Sequence, residues 1–282
     1  MNRIFTALAL VVFNLSLTTA TAQQQLTILH TNDTHSCILP LKYNLADTAL
    51  AGRGGFLRRI ALLKEERLKD PDLLYFDSGD FSQGSSYYTM FQGDAEIDLM
   101  NEMGIAASTI GNHEFDFGLD NMARLFRRAN FPIVCSNYDF TGSVLQGLVK
   151  PFITLKRKGV KIGVFALCPP LEGLVFTKNY GPLRFLDPAE TARRMVDVLR
   201  NKKKCDLVIC ISHLGWSVTD YPDQRMLAGT SGIDLVLGGH SHTYFGKLEY
   251  ADDESGKAVP VDQNGKHGVF IGKLILTMNK KK

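Results

Sequence analysis

Five of the seven histidines in this 282-residue chain fall within a set of five short clusters of metal-ligand residue types. In order these are Asp33-Thr34-His35, Gly79-Asp80, Gly111-Asn112-His113-Glu114, Ser212-His213 and Gly239-His240-Ser241-His242. Imidazoles, carboxylates and one amide are the donors that hard and borderline divalent cations take. Gathered together they can hold two cations about 3.5–4 Å apart, an arrangement that neutralises phosphoryl oxygens and lowers the pKa of a bound water. That chemistry suits phosphate esters, whose uncatalysed hydrolysis is among the slowest known.

The clusters are far apart in sequence, so the fold must bring them together. Short apolar runs at Leu26–His30, Leu73–Phe76, Ala107–Ile110, Phe131–Cys135, Asp206–Ile211 and Asp234–Leu237 read as strands, and helical periodicity covers 55–68, 95–103 and 119–129. Phe152–Leu155 and Lys161–Leu167, joined at Lys158-Gly159, read as a hairpin. Pro188 opens a helix to about Lys203 with Asp187 as its N-cap, and residues 244–278 read as a glycine-punctuated β meander. Repeated βα units followed by strands argue for an α/β domain with one mixed sheet or two stacked sheets. Each polar cluster follows the carboxyl end of an apolar strand, where open α/β sheets bind their ligands. Gly79, Gly111, Gly238 and Gly239 permit the tight turns that aim the next side chain inward.

These five clusters, in this order, resemble the signature of the calcineurin-like metallophosphoesterases. The strings Leu29-His30-Thr31-Asn32-Asp33-Thr34-His35 and Gly111-Asn112-His113-Glu114-Phe115-Asp116 are similar to the secreted 5'-nucleotidase branch, and the resemblance runs from about Leu26 to Met278. It implies two stacked β-sheets flanked by helices, in α/β/β/α layers. It also implies two divalent metal ions, zinc, manganese, cobalt or iron. Asp33, His35 and His242 would hold the first, Asn112, His213 and His240 the second, and Asp80 would bridge them. His240 and His242 can reach different metals only if the backbone between them is extended or sharply turned.

In the resembled family the histidine of the Gly-Asn-His-Glu cluster protonates the leaving group without binding metal; here that is His113. Asp116 either orients its imidazole or caps the following helix, and Glu114 is expected to bind backbone rather than metal. His30 and His267 lie outside the set and read as satisfied core residues. The implied activity is hydrolysis of phosphate monoesters, with release of phosphate from nucleotides first among them. A cyclic-nucleotide phosphodiesterase, a nucleotide-sugar hydrolase or a sulfur-ester hydrolase of the same fold is the alternative, as is a metal-dependent binding module. Secreted 5'-nucleotidases carry a second domain that grips the nucleoside, whereas this chain ends at Lys282. Either a separate chain supplies that domain, or a broader range of esters is accepted. Tyr87, Tyr88, Phe91 and Tyr180 are aromatics placed to contact a leaving group or to pack on the surface.

Composition bounds the rest. Hydrophobic side chains make up 45% of the chain, enough for a large core, and no repeat of solenoid or propeller period is visible. Arg3, the apolar run Ile4–Leu17 and Ala20-Thr21-Ala22 together read as a signal peptide over residues 1–22, leaving residues 23–282 as one exported domain, periplasmic or extracellular. The run is shorter than the ~20 residues that span a bilayer. Removing residues 1–22 takes the formal net charge from +3 to +2, and basic residues form no contiguous patch, so no nucleic-acid polymer is expected as partner, and no membrane span is expected after signal cleavage. Cys37, Cys135, Cys168, Cys205 and Cys210 are an odd count, and no disulfide is expected among them; Cys37 lies close enough to His35 in sequence to approach a metal.

Overall fold

Apolar side chains on both faces of the central strands demand cover on both sides. β1 (Gln24–Thr31) places Leu26 and Ile28 on one face and Leu29 on the other. β2 (Leu74–Asp77) does the same with Leu74 and Phe76 against Tyr75. In β8 (Val160–Leu167) and β10 (Leu207–Ser212), Ile162, Val164, Ile209 and Ile211 alternate with Phe165, Leu167, Val208 and Cys210. The first set of each pair meets in one apolar layer between two six-stranded sheets. The computed structural model describes residues 24–217 and 219–278; the signal-peptide expectation lies outside them.

The first sheet runs in the order β14-β1-β2-β3-β4-β6, where β3 is Ala107–Ser108, β4 Ile133–Val134, β6 Val149–Lys150 and β14 Gly272–Met278. From β1 to β6 its strands are parallel, and β14 closes the edge antiparallel to β1. The second sheet runs β12-β13-β11-β10-β8-β7, with β7 at Phe152–Arg157, β11 at Leu235–Leu237, β12 at Glu249–Asp252 and β13 at Ala258–Asp262. Here β8, β10, β11 and β13 are parallel, and the edge strands β7 and β12 are antiparallel to their neighbours. β5 (Tyr138–Asp139) and β9 (Arg184–Phe185) form a small separate ladder.

Helices cover the outer faces. α1 (Phe56–Lys69), α3 (Asp94–Asn101) and α4 (Gly118–Arg128) pack Phe56, Ile97 and Met122 on the first sheet. α2 (Ser86–Phe91) and α5 (Thr177–Tyr180) are short surface helices. α6 (Pro188–Asp197) and α7 (Asp223–Ala228) pack Ala192, Met226 and Leu227 on the second sheet. The layers are therefore α/β/β/α, as the resemblance implies. Asp187 caps α6, its carboxylate accepting from Glu190 N at 2.9 Å, and the helix continues as a π-turn to Lys202.

One expectation fails. Residues 244–278 are not a meander: β12 and β13 join the second sheet, β13 parallel to β11, while β14 crosses to the first and pairs with β1 from Gln24–Met278 to His30–Gly272. Alternating apolar spacing specifies a strand but not its partner; here both open sheet edges were available to cover.

Candidate active site

The parallel strands point their carboxyl ends the same way, and the loops that leave them carry the clusters. After β1 and β2 the two loops continue side by side: Asp33 N donates to Gly79 O at 3.0 Å, His35 N to Asp80 O at 2.9 Å and Ser36 N to Phe81 O at 2.9 Å. Asp33, His35 and Asp80 have φ of 49°, 43° and 53°, and His240 and His242 have 72° and 54°. Such left-handed residues cost energy outside glycine and collect at functional sites. For His240 and His242 the consequence is the sharp turn their spacing required.

Three groups of ligand atoms converge, each within 4.8 Å: Asp33 with His35 and His242; Asp80 with His213 and His240; and His35 with Asp80 and His113. Asp80 and His35 belong to two groups each, so the clusters form one continuous floor. The Nε2 atoms of His35 and His242 are 2.8 Å apart, and Asp80 Oδ2 lies 3.2 Å from His213 Nε2 and 4.0 Å from His35 Nε2. Asp80 thus stands between the two histidine groups, the place a bridging ligand would occupy.

Asn112 Oδ1 and His35 Nδ1 are buried without a hydrogen-bond partner, and His213 Nε2 faces the carboxylates of Asp80 at 3.2 Å and Asp33 at 3.8 Å. The His213 ring is oriented from its other side, where Nδ1 donates to Ser78 O at 2.6 Å; that tautomer leaves the Nε2 lone pair facing the cluster. Buried polar atoms are rarely left unsatisfied, and an unpartnered amide oxygen together with imidazole nitrogens turned to buried carboxylates fits divalent cations. Glycines supply the room. A Cβ on Gly111 would fall 2.1 Å from Asp80 Oδ1, and one on Gly239 would fall 2.9 Å from His213 Nδ1.

Electrostatics agree with that fit. Burial holds the pKa values of His35 and His242 down at about 4 and that of His240 at about 3, so all three offer neutral lone pairs at pH 7. Burial and the Asp80 charge push Asp33 up to about 7, against the opposing pull of His213. For His213, burial is outweighed by Asp80 and Asp33, which raise it well above the usual imidazole value. Two buried carboxylates require a positive charge between them. A proton on His213 supplies one; dications would supply more and invert these preferences.

Solvent exposure divides the site. Asp33, Asp80 and His213 are at most 2% exposed, whereas His113 and Asp116 are 32% and 35% exposed at the mouth. Asp116 Oδ2 is 3.2 Å from His113 Nδ1, and Phe117, not Asp116, occupies the cap position of α4. Burial lowers the His113 pKa, but the hydrogen bond to Asp116 and the charge of Asp80 prevail and raise it. Glu114 turns inward instead. Its Oε2 accepts from Asp80 N at 2.9 Å and Gly111 N at 2.5 Å, and its Oε1 from Ser82 N at 3.0 Å, tying the second cluster to the third.

His30 is a satisfied core residue, with Nε2 2.7 Å from Asp262 Oδ2, linking the two sheets. His267 is not. It sits half-buried at the rim, its ring centroid 6.1 Å from that of His35 and its N–H on Asp33 O at 2.7 Å. Its position between Gly265 and Gly268, both at positive φ, marks a turn that could have signalled this. Gln263 was also not apparent. It donates to Gly239 O at 2.8 Å and accepts from Ser241 Oγ and Thr243 N at 2.9 and 2.5 Å, anchoring the loop of His240 and His242. Cys37 Sγ contacts Leu39 O at 3.2 Å and belongs to none of the ligand groups, and all five cysteines are free thiols.

Two stacked mixed sheets with Asp, His and Asn side chains gathered at their carboxyl ends define a metal-dependent phosphoesterase. A model of the calcineurin-like phosphoesterase family matches residues 26–244, and the chain belongs to that family. Among curated relatives, the trifunctional nucleotide phosphoesterase protein YfkN of Bacillus subtilis is 30% identical over 91% of this chain and 18% of its own length. The 5'-nucleotidase of Bos taurus is 29% identical over 91% of this chain and 47% of its own. The solved structure of a 5'-nucleotidase precursor from Thermus thermophilus superposes with a TM-score of 0.81 at 30% identity, covering 91% of this chain and 52% of that one. This chain therefore spans about half, or less, of the length of these relatives.

Proposed function

We propose that the chain hydrolyses phosphate monoesters with two divalent cations and that 5'-nucleotides are among its substrates. Asp33, His35 and His242 would hold one cation, Asn112, His213 and His240 the other, and the Asp80 carboxylate would be shared by both. The observation that carries this reading is the convergence of two groups of ligand atoms, Asp33 with His35 and His242 and Asp80 with His213 and His240, each within 4.8 Å; Asn112 Oδ1, buried and unpartnered, precedes His113, whose backbone N–H donates to Asp80 Oδ1 at 2.9 Å. When bound, such cations neutralise the phosphoryl oxygens and activate water as nucleophile.

The protein's own groups do the rest. Ser78 O and Glu114 fix His213 and the Asp80 loop before substrate arrives. His113, exposed at the mouth and held by Asp116, gives its proton to the leaving oxygen; the rise in its pKa favours the form that can do so. A pure binding module has no need of this pair. Export to the periplasm or cell exterior is part of the proposal, as is a single domain over 23–282; relatives named snake venom 5'-nucleotidase are consistent with export. Among the described residues no helix is long and apolar enough to cross a membrane.

The test is turnover of nucleoside monophosphates, a cyclic diester and an aryl phosphate with added Mn²⁺ or Zn²⁺. Monoester turnover in excess of diester turnover supports the reading. Faster diester turnover favours a phosphodiesterase, and none at all favours a binding module.

A further inference from the structure

Beside the His113–Asp116 pair lies a cavity of about 400 Å³, within the range of small-molecule sites. Its walls include Gln83, Ser86, Tyr88, Thr89, Asp116 and Phe117. We infer that it holds the leaving group of the substrate and that its chemistry selects an uncharged, hydroxyl-rich group such as a pentose. The inference rests on the hydrolase reading above and adds to it a subsite on this chain.

Position is the first argument. Asp116 lines the cavity while its carboxylate stands 3.2 Å from His113 Nδ1, and the Tyr88 hydroxyl donates to His113 O at 3.3 Å. The loop on the other side is pressed against the metal-ligand cluster: a Cβ on Gly84 would fall 2.6 Å from His35 O. A group bonded to the oxygen that His113 protonates therefore has this cavity next to it.

Charge is the second. None of the lining residues is cationic, and Asp116 is the one acid, so a second phosphate or a carboxylate on the leaving group meets repulsion and no partner. Hydrogen bonding is the third. Among the described residues the side chains of Gln83 and Ser86 have no hydrogen-bond partner, and both are accessible, so an amide and a hydroxyl are free for a ligand. Phe117, 40% exposed and with its ring centroid 5.1 Å from that of Tyr88, offers an apolar wall for the C–H face of a sugar ring.

The experiment compares ribose 5-phosphate with p-nitrophenyl phosphate on Mn²⁺-loaded wild type and on the double variant Gln83→Ala, Ser86→Ala. Removing two hydrogen-bond partners should lower the ratio of kcat/KM for the sugar ester over the aryl ester about tenfold. A ratio within twofold of wild type overturns the inference. Failure of wild type to turn over either ester or a nucleoside monophosphate refutes the hydrolase reading instead. Calorimetric binding of ribose 5-phosphate then decides the subsite alone: affinity weakened about tenfold in the double variant upholds it, and equal affinity overturns it.

Discussion

Replacing Glu114 by alanine removes the acceptor of three buried amides, those of Asp80, Ser82 and Gly111. Each buried N–H left unsatisfied costs about 1–3 kcal/mol. Burial and Asp80 already push the Glu114 pKa up to about 7, so deleting the carboxyl recovers part of its desolvation cost, which places the total toward the lower end, about 3–5 kcal/mol. At ~2–4 °C per kcal/mol for a domain of this size, the expected fall in Tm is on the order of 10 °C. Glu114→Gln should cost less, about 1–3 kcal/mol: the amide oxygen can keep the two amides at Oε2, while its NH₂ faces the Ser82 N–H donor to donor. Metal should be lost beyond what stability predicts, because two of the three amides belong to Asp80 and Gly111, whose loops meet at the Asp80 carboxylate. Thermal unfolding in EDTA and in excess Mn²⁺, with elemental analysis after desalting, reads both effects. A Glu114→Ala protein within 2 °C of wild type, with full metal content, would refute the reasoning.

Four further substitutions test the same structure. Gly111→Ala puts a Cβ where Asp80 Oδ1 stands, so bound metal and activity should fall together; elemental analysis showing full metal occupancy would contradict this. His113→Ala should retain both metals and lose about 10²–10⁴-fold in kcat, whereas Asp80→Ala should lose metal as well; equal metal loss in the two would mean that His113 is a ligand. Burial raises the Asp223 pKa from 3.8 to about 7, so the native state favours the neutral acid. Its stabilising contribution is complete below about pH 4 and is lost as pH rises through about 7. Asp223→Asn should therefore gain in Tm relative to wild type between pH 5 and pH 8, measured in EDTA, and a constant difference across that range would count against it.

How much was legible beforehand differs from residue to residue. Periodicity located β1, α1 and β8 within a residue or two, because strands buried on both faces and amphipathic helices leave strong patterns, whereas Pro188 and Asp187 marked the start of α6, whose expected end is approached only through its π-turn. The short ladder of β5 and β9 left none: two residues a strand are too few for a period. Sequence neighbours misled for His267, which has no ligand motif of its own and reaches the rim only because its N–H binds Asp33 O, 234 positions away. Gln263 was hidden for a like reason, since an amide that anchors another loop by hydrogen bonds carries no spacing signal.

Residue types and local order alone determined the chemistry available here: which side chains can bind a hard or borderline cation, and that each follows the end of an apolar strand. Those are properties of atoms and of local backbone preference, and they survive in a linear string. Tertiary structure decided which strand lies beside which, that β14 returns to β1, and that His240 and His242 turn apart toward different groups. It also decided that Asp116 faces His113 rather than capping a helix, and that a cavity with no cationic wall opens beside that pair. These depend on packing between segments more than two hundred residues apart, and an energy shared by distant partners is written in neither one of them.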